Sequence, residues 1–223
     1  MFDLPRAAFF DVDGVLVDSL PQHLQVCRDK AQEFGLALSI PGTEQMRRRI
    51  SHGLKVSPML NFFLAVGFPP ADAARAVEDY EREFMQRYHP AAFPAVDVML
   101  AKLRAAGLRL GLVTSNTRAN VAPALGAAMQ YFEQSCQFFF DEYAPSMTKT
   151  ECLVEGARRM ALPASACAYV GDQPADETAA REAGLRFLGV TYGWGITQSG
   201  ARFEIAKSVG EIPDKLVGMH AIV

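Results

Sequence analysis

The chain of 223 residues has 22 basic and 25 acidic side chains, and half of its residues are hydrophobic. A chain of this length can bury a substantial core, as one large domain or as one domain with an insertion. The net charge of −3 argues against a general nucleic-acid coat and against a basic membrane-surface protein.

The cysteines and the N-terminus predict a cytoplasmic protein. The four cysteines are widely separated and form no Cys-x-x-Cys pair, so we expect neither a disulfide framework nor a zinc knuckle. The first residues lack the basic stretch and the long apolar run of a signal peptide. No apolar run is long enough to span a bilayer. We therefore expect no nucleic-acid partner and no membrane partner.

Four short apolar runs predict buried strands of a parallel sheet. They are too short for helices, and helical periodicity lies between the later ones. This alternation predicts an α/β fold with helices on both faces of the sheet. The predicted strands are Ala7–Phe10, Arg109–Val113, Cys167–Val170 and Arg186–Val190, and the intervening helices include Val96–Ala106, Ala119–Gly126 and Thr150–Met160.

Residues 20 to 89 interrupt the alternation and contain helical patterns only. Glycines and a Pro-Pro pair separate these patterns, and no strand pattern lies among them. We interpret the segment as a helical insertion between the first strand and the rest of the sheet. Its predicted helices are Gln22–Phe34, Thr43–Ile50, Pro58–Val66 and Ala71–Tyr88.

Polar side chains follow three of the predicted strands, at the sheet edge where ligands bind in open α/β folds. Converging carboxylates repel one another unless a cation neutralises them, and a site with oxygen ligands alone suits Mg²⁺. We therefore predict a Mg²⁺ site at this edge. The residues are Asp11 and Asp13 after the first strand, Thr114, Ser115 and Asn116 after the second, and Asp172 and Asp176 after the third.

Four motifs resemble those of the haloacid dehalogenase-like hydrolases. The segment Asp11–Ser19, with the sequence DVDGVLVDS, resembles the first motif and Leu112–Asn116 the second. Lys149 is the candidate third motif, and Val170–Asp176 resembles the fourth. The motifs have the family's order and extend over nearly the whole chain.

The resemblance implies a Rossmann-like core and an all-helical cap. The core would comprise residues 1–17 and 92–223, and the cap residues 18–91. A cap of this kind is similar to that of the subfamily that includes phosphoglycolate phosphatase and β-phosphoglucomutase. As a lid it would exclude water from the site and carry groups that recognise the leaving alcohol.

The resemblance also implies roles in phosphoryl transfer. Asp11 would attack phosphorus and form an aspartyl-phosphate, since a carboxylate is already ionised at neutral pH. Asp13 would protonate the leaving oxygen and then deprotonate the attacking water, while its backbone carbonyl would face the metal. Thr114 would donate hydrogen bonds to the phosphoryl group, and Ser115 and Asn116 are further substrate-binding candidates.

The remaining motif residues would supply charge. Lys149 would neutralise the phosphoryl group and Asp11. Asp172 would bind Mg²⁺ directly, and Asp176 would support it directly or through water. With Asp11 and Asp13 these two residues complete the implied metal site. Asp13 favours phosphoryl chemistry, because the true dehalogenases of this family lack an acid at its position.

Two positions depart from the family's pattern. The third motif commonly has proline after its lysine, whereas Thr150 follows Lys149 here. Pro94-Ala95 stands where Pro-Gly usually precedes the second motif, and the loss of glycine changes the demands on that turn.

Candidate substrate ligands also lie in the insertion. Cations concentrate in residues 46–55, and we predict that Arg49 with His52 or Lys55 binds an anionic group of the substrate. The alternative is a solvated helix face. His23 matches a histidine that β-phosphoglucomutase-like proteins place near the nucleophile, although a surface helical histidine is also possible. We expect Trp194 to pack rather than to contact substrate.

The leading hypothesis is a Mg²⁺-dependent phosphomonoester hydrolase, phosphoglycolate phosphatase-like, that acts on a small phosphorylated metabolite as a monomer or homodimer. The alternative is a sugar-phosphate mutase of the β-phosphoglucomutase type. A non-catalytic phosphate-binding protein is a third hypothesis, which the complete set of motif residues disfavours.

Overall fold

The computed structural model describes residues 4–197 and 201–218. Its strands are β1 (Ala7–Phe10), β2 (Val17–Asp18), β3 (Ala91–Ala92), β4 (Arg109–Val113), β5 (Gln137–Phe138), β6 (Cys167–Gly171), β7 (Arg186–Val190) and β8 (Glu204–Ala206). Its α-helices are α1 (Leu20–Glu33), α2 (Thr43–Ser51), α3 (Met59–Ala65), α4 (Pro70–Arg87), α5 (Val96–Ala105), α6 (Arg118–Leu125), α7 (Phe140–Tyr143), α8 (Lys149–Arg159), α9 (Pro174–Ala183) and α10 (Ile212–Gly218).

Six of these strands form one parallel sheet in the order β5-β4-β1-β6-β7-β8. At its centre, Phe10 of β1 pairs with Leu112 on one side and Val170 on the other. The three strands that precede the polar motifs are therefore neighbours, and their carboxyl ends lie together. The predicted α/β class with a parallel sheet is confirmed.

Both faces of the sheet are covered, which explains why the central strands are apolar throughout. Side chains alternate between the faces along β1. Ala8 and Phe10 pack in one apolar cluster with α5 and α10, whereas Ala7 and Phe9 pack in another with α8 and α9. Helices thus hold the central strand from both sides and fix the position of its carboxyl end.

The helical insertion leaves and rejoins the core through a two-stranded ribbon. Val17 pairs with Ala92, and Asp18 with Ala91, in antiparallel register. Between these strands, α1 to α4 bury an apolar cluster of their own, which includes Leu24, Met46 and Phe84. The ribbon lies at the boundary that the sequence predicts between the two parts of the chain.

A buried lysine fixes α1 against α4. Lys30 Nζ lies 2.6 Å from a carboxylate oxygen of Glu33, 3.1 Å from Asp79 and 3.4 Å from Glu83. Burial lowers the pKa of Lys30, but the carboxylates of Glu33 and Asp79 outweigh burial and raise it above its ordinary value. Lys30 therefore stays protonated, and its ion pairs hold α1, which carries His23, in a defined position against α4, which carries Tyr80.

The elements for which the sequence analysis gives bounds begin and end within two residues of them, whereas several short elements were not predicted. The missed elements are β2, β3, β5, β8, α7 and α10, of two to seven residues. Two to four residues span at most about one helical turn, so they carry no readable period. Within residues 4–197 and 201–218, no helix combines the length and apolarity that crossing a membrane requires.

Candidate active site

A carboxylate cluster lies where two neighbouring strands, β1 and β6, end. Asp11 follows β1, Asp172 follows β6, and Asp176 lies in the first turn of α9. All three are buried, and each offers a carboxylate oxygen within 4.8 Å of the others. The expectation that parallel strand ends bring these residues together agrees with this geometry.

Lys149 bridges two members of the cluster. Its Nζ donates to Asp11 Oδ2 at 2.9 Å and to Asp176 Oδ1 at 2.7 Å. A capping box fixes the start of α8, since Thr148 Oγ1 accepts from the Glu151 amide and the Glu151 carboxylate accepts from the Thr148 amide. The box thus defines the first turn at the position where the family commonly has proline.

The cluster contains three buried carboxylates, and Lys149 is the cation bonded to it, so negative charge is in excess. Burial raises the pKa of Asp11 to about 7, with Lys149 offsetting part of the increase. Burial, followed by the charges of Asp176 and Asp11, also raises the pKa of Asp172 well above its ordinary value. For Lys149, burial lowers the pKa, but the carboxylates of Asp11 and Asp176 outweigh it and raise it. The protein alone does not neutralise this cluster.

The donor set fits a hard divalent cation. Asp172 Oδ2 accepts from the Trp194 amide at 2.6 Å, while its Oδ1 is buried without a hydrogen-bond partner among the described residues. A Cβ added to Gly14, whose φ is +81°, would lie 2.0 Å from Asp172 Oδ2. Glycine therefore leaves the space that this carboxylate occupies. An unpaired carboxylate oxygen in an oxygen-only cluster is what Mg²⁺ binds.

The side chain of Asp176 is already occupied by the protein. Its Oδ1 accepts from Lys149, and its Oδ2 accepts from the amides of Asp172 at 3.2 Å and Gln173 at 3.0 Å. The bond from the Gln173 amide is part of the capping box of α9, and together with the bond from the Asp172 amide it holds the turn after β6. Asp176 thus positions Lys149 and the Asp172 backbone, which fits the outer, supporting role implied for it.

Asp13 turns away from the carboxylate cluster and into a separate network. Ser19 Oγ donates to Asp13 Oδ1 at 2.5 Å, and Asn116 Nδ2 donates to Oδ2 at 2.9 Å. The Asp13 carboxylate is not part of the cluster of Asp11, Asp172 and Asp176. A metal contact through its backbone carbonyl stays a prediction.

The residues after β4 line a pocket at the carboxyl edge of the sheet, together with Asp11 and Asp13. Thr114 is fully buried, and its Oγ1 accepts from the Asn116 amide at 3.2 Å. Thr114, Ser115 and Asn116 line a pocket of about 210 Å³ together with Asp11 and Asp13. We call these five residues the core end of the pocket.

His23 reaches this pocket from the insertion. Its Nδ1 lies 2.6 Å from the carbonyl oxygen of Ser19, and its Nε2 lies 3.2 Å from the hydroxyl of Tyr80. Burial lowers the pKa of His23, so the ring is neutral at pH 7. A neutral ring that donates from Nδ1 accepts from the Tyr80 hydroxyl at Nε2. The histidine is buried rather than a surface residue of its helix.

The opposite wall of the pocket was missed by the sequence analysis. It consists of Val56–Leu60, Phe62, Val77, Tyr80 and Glu81, which we call the insertion end. Trp194 from the core also lines the pocket, and its ring packs at 5.3 Å from that of His23. Trp194 therefore packs as expected and also borders the pocket. Helical periodicity signals that such residues are buried, but not that they border a cavity.

The cations predicted to bind substrate lie elsewhere. Arg49, His52 and Lys55 are exposed, and none of them lines the pocket. The reason is the helix period, because α2 buries Met46 and Ile50 and turns Arg49 outward. The structure thus does not bring these three residues to the other candidate site residues.

Comparisons with known proteins agree with this geometry. The sequence model of the haloacid dehalogenase-like hydrolases matches residues 5–184. A phosphoglycolate phosphatase from Xanthomonas campestris is 33% identical over 201 residues, covering 85% of each chain. Another from Synechococcus elongatus is 30% identical over 199 residues, covering 87% of each. A solved structure of a haloacid dehalogenase-like family hydrolase from Streptococcus pneumoniae has a TM-score of 0.75 at 21% identity, covering 93% of this chain and 96% of that one.

Proposed function

Because the chain belongs to the haloacid dehalogenase-like hydrolase family and is a phosphatase, we propose that it hydrolyses small phosphate monoesters through an aspartyl-phosphate on Asp11 and that it depends on Mg²⁺. The observation that carries the proposal is the arrangement of Lys149 between Asp11 and Asp176, beside the unpaired oxygen of Asp172. The match to the family and the similarity to curated phosphatases also support the proposed hydrolysis.

The first half of the reaction transfers the phosphoryl group to Asp11. A carboxylate oxygen of Asp11 attacks phosphorus, and the bond between phosphorus and the leaving oxygen breaks. Asp13 gives its proton to that oxygen, so the product leaves as a neutral alcohol. Lys149 offsets the charge that accumulates between Asp11 and the phosphoryl oxygens, and Thr114 donates a hydrogen bond to one of those oxygens.

The second half releases phosphate. Asp13, now ionised, accepts a proton from a water molecule, whose oxygen attacks phosphorus. The bond between phosphorus and Asp11 breaks, and the Asp11 carboxylate is restored. Ser19 and Asn116 hold Asp13 through both halves, since each donates to a different oxygen of its carboxylate.

Asp172 and Asp11 would hold the metal ion. Asp172 has an unpaired Oδ1, and the Asp11 carboxylate lies in the same cluster, where negative charge is in excess. When bound, Mg²⁺ supplies the positive charge that keeps these carboxylates ionised and polarises a phosphate oxygen of the substrate. Asp176 would act through Lys149 and the turn after β6.

We also propose that residues 18–91 form a cap over a core of residues 1–17 and 92–223. The ribbon of β2 and β3 lies at both joints, and the helices between them have their own apolar cluster. His23 and Tyr80 of this segment border the pocket whose other wall is the core end.

The test is phosphate release from a panel of monoesters with Mg²⁺ or with a chelator. We expect release that needs Mg²⁺, and a loss of at least about 1,000-fold in Asp11→Asn, because the amide is no nucleophile. Asp18→Asn is the matched control, since Asp18 lies in the same motif outside the cluster. Activity of Asp11→Asn within about tenfold of the wild type would contradict the proposal.

A further inference from the structure

Six of the nine residues at the insertion end of the pocket are apolar. Val56, Pro58, Met59, Leu60, Phe62 and Val77 all border the cavity. Leu60 remains 39% exposed although it is a large apolar side chain. Apolar surface of this kind is stabilised when a ligand covers it. The wall that faces the leaving alcohol thus offers contacts to carbon atoms.

No lysine or arginine among the described residues lines this pocket, and the ring of His23, which does, is neutral. Lys149 donates to both Asp11 and Asp176, so its charge is committed to the core end. Arg47 points to the core, where its Nη2 donates to the carbonyl oxygen of Tyr192. The charged side chain at the insertion end is Glu81, which is exposed at the rim of the pocket.

This distribution of charge decides which leaving groups are accepted. A carboxylate on the alcohol would leave water for an apolar wall, with no cation to replace its hydration and with Glu81 nearby. An uncharged alcohol would lose little hydration and would cover the apolar wall. The volume of about 210 Å³ lies below the roughly 300–1,000 Å³ of pockets for drug-sized ligands, so the alcohol is small.

We propose that the insertion end selects phosphate esters of small, uncharged and mainly apolar alcohols, up to the size of a single ring, and discriminates against alcohols that carry a carboxylate. This inference rests on the proposed hydrolase activity and names its substrate class. It separates the chain from its curated relatives, which are named for phosphoglycolate, an ester whose alcohol carries a carboxylate.

The test compares two esters of similar length, propyl phosphate and 2-phosphoglycolate, with the full chain and saturating Mg²⁺. We expect kcat/KM to favour propyl phosphate by at least about tenfold, since an unpaired buried charge outweighs the loss of a few apolar contacts. Glu81→Lys adds a cation at the exposed rim, and it should narrow this ratio by at least about threefold through a lower KM for 2-phosphoglycolate.

Glu78→Lys is the matched control. Glu78 is exposed one turn earlier on the same helix and does not line the pocket, so this change should leave the ratio unaltered. An equal narrowing by both variants would show a general charge effect and overturn the role of the insertion end. Equal or higher kcat/KM for 2-phosphoglycolate in the wild type would overturn the inference and leave the hydrolase intact. Phosphate release from neither ester, with release from other monoesters of the panel, would overturn the inference alone, whereas release from no monoester of the panel would overturn both.

Discussion

The two ends of the pocket differ in how their side chains are held. At the core end, Asp11 and Thr114 are at least 96% buried, and Lys149 and backbone amides hold the carboxylates around Asp11. At the insertion end, the wall consists of apolar side chains such as Met59 and Leu60, which remain partly exposed. In the function that we propose, the reaction and the recognition of the alcohol therefore belong to separate parts of the chain.

Variants at the two ends of the pocket should therefore differ in how they affect a series of esters. A change at the core end should slow all esters by a similar factor, because the phosphoryl group is common to them. A change at the insertion end should alter the ratio between esters, because only the alcohol differs.

After Asp11→Asn, the largest effect is expected for Asp172→Asn. The change removes a negative charge from a carboxylate whose Oδ1 is buried without a partner among the described residues, so kcat should fall by at least about 100-fold for every ester. In the wild type, Mg²⁺ at about 100 times its Kd should stabilise the fold by about 2.7 kcal/mol, and the variant should lose most of this gain. Thermal unfolding with and without Mg²⁺ measures it.

Asp97→Asn is the control for this prediction, because Asp97 is exposed on α5 and lies outside the cluster. It should retain both the activity and the stabilisation by Mg²⁺. A wild-type gain in stability that survives in Asp172→Asn would show that the ion binds elsewhere.

A smaller effect on stability is expected for Lys149→Met. The lysine bonds two buried carboxylates, and breaking such a pair costs about 3–5 kcal/mol when it is fully buried. The side chain is 18% exposed, so we expect a loss on the order of 2 kcal/mol in the presence of a chelator. Added Mg²⁺ should recover part of this loss, because it replaces the missing positive charge.

Urea unfolding with and without Mg²⁺ measures the effect of Lys149→Met, and Lys102→Met on the exposed side of α5 is the control. Phosphate release should fall for all esters alike. A loss confined to some esters would place Lys149 at the alcohol and break the division between the two ends.

The smallest effect is expected for Tyr80→Phe at the insertion end. The change removes the hydroxyl that His23 Nε2 and Asn120 Nδ2 contact at 3.2 and 3.5 Å. A buried group left without a partner costs about 1–3 kcal/mol, so the free energy of unfolding should fall by about 1 kcal/mol at these long distances. Activity should change by a few-fold and differently for different esters.

Tyr131→Phe is the control, since Tyr131 packs at the edge of the core away from the pocket. Urea unfolding and kcat/KM for two esters measure both variants. An equal slowing of all esters by Tyr80→Phe would instead tie this hydroxyl to the reaction at the core end.

The core end of the pocket and the carboxylate cluster beside it could be predicted from the sequence, because parallel strands place their carboxyl ends together. Asp11, Thr114 and Asp172 each follow a short apolar run, and the sheet order makes those runs neighbours. Lys149 was reachable only through the motif resemblance, since nothing local to a helix start indicates that its side chain contacts Asp11 across the fold.

The insertion end could not be predicted in the same way. The period of α4 shows that Tyr80 is buried, but the period does not distinguish a side chain that packs from one that borders a cavity. The cluster of cations near Arg49 favoured an anion site, whereas α2 turns this residue to solvent. A helix face belongs to a site only through its tertiary partner, which local sequence does not encode.

The turn before α5 is strained at Ala95, the position where the sequence analysis notes that glycine is replaced. Ala95 has a φ of +69°, in the left-handed region where glycine is preferred. An alanine pays roughly 1–2 kcal/mol to adopt this conformation. The departure from Pro-Gly therefore leaves the turn in place, with strain at Ala95.

The most direct test of the division of roles between Asp11 and Asp13 is the pre-steady-state reaction of Asp13→Asn with an excess of 4-nitrophenyl phosphate. Nitrophenolate needs no proton to leave, so the first half should proceed, while the second half lacks its base. The account predicts a rapid burst of about one nitrophenolate per protein and a phosphoryl group on the peptide that contains Asp11. Steady release without a burst, or a phosphoryl group on another residue, would contradict it.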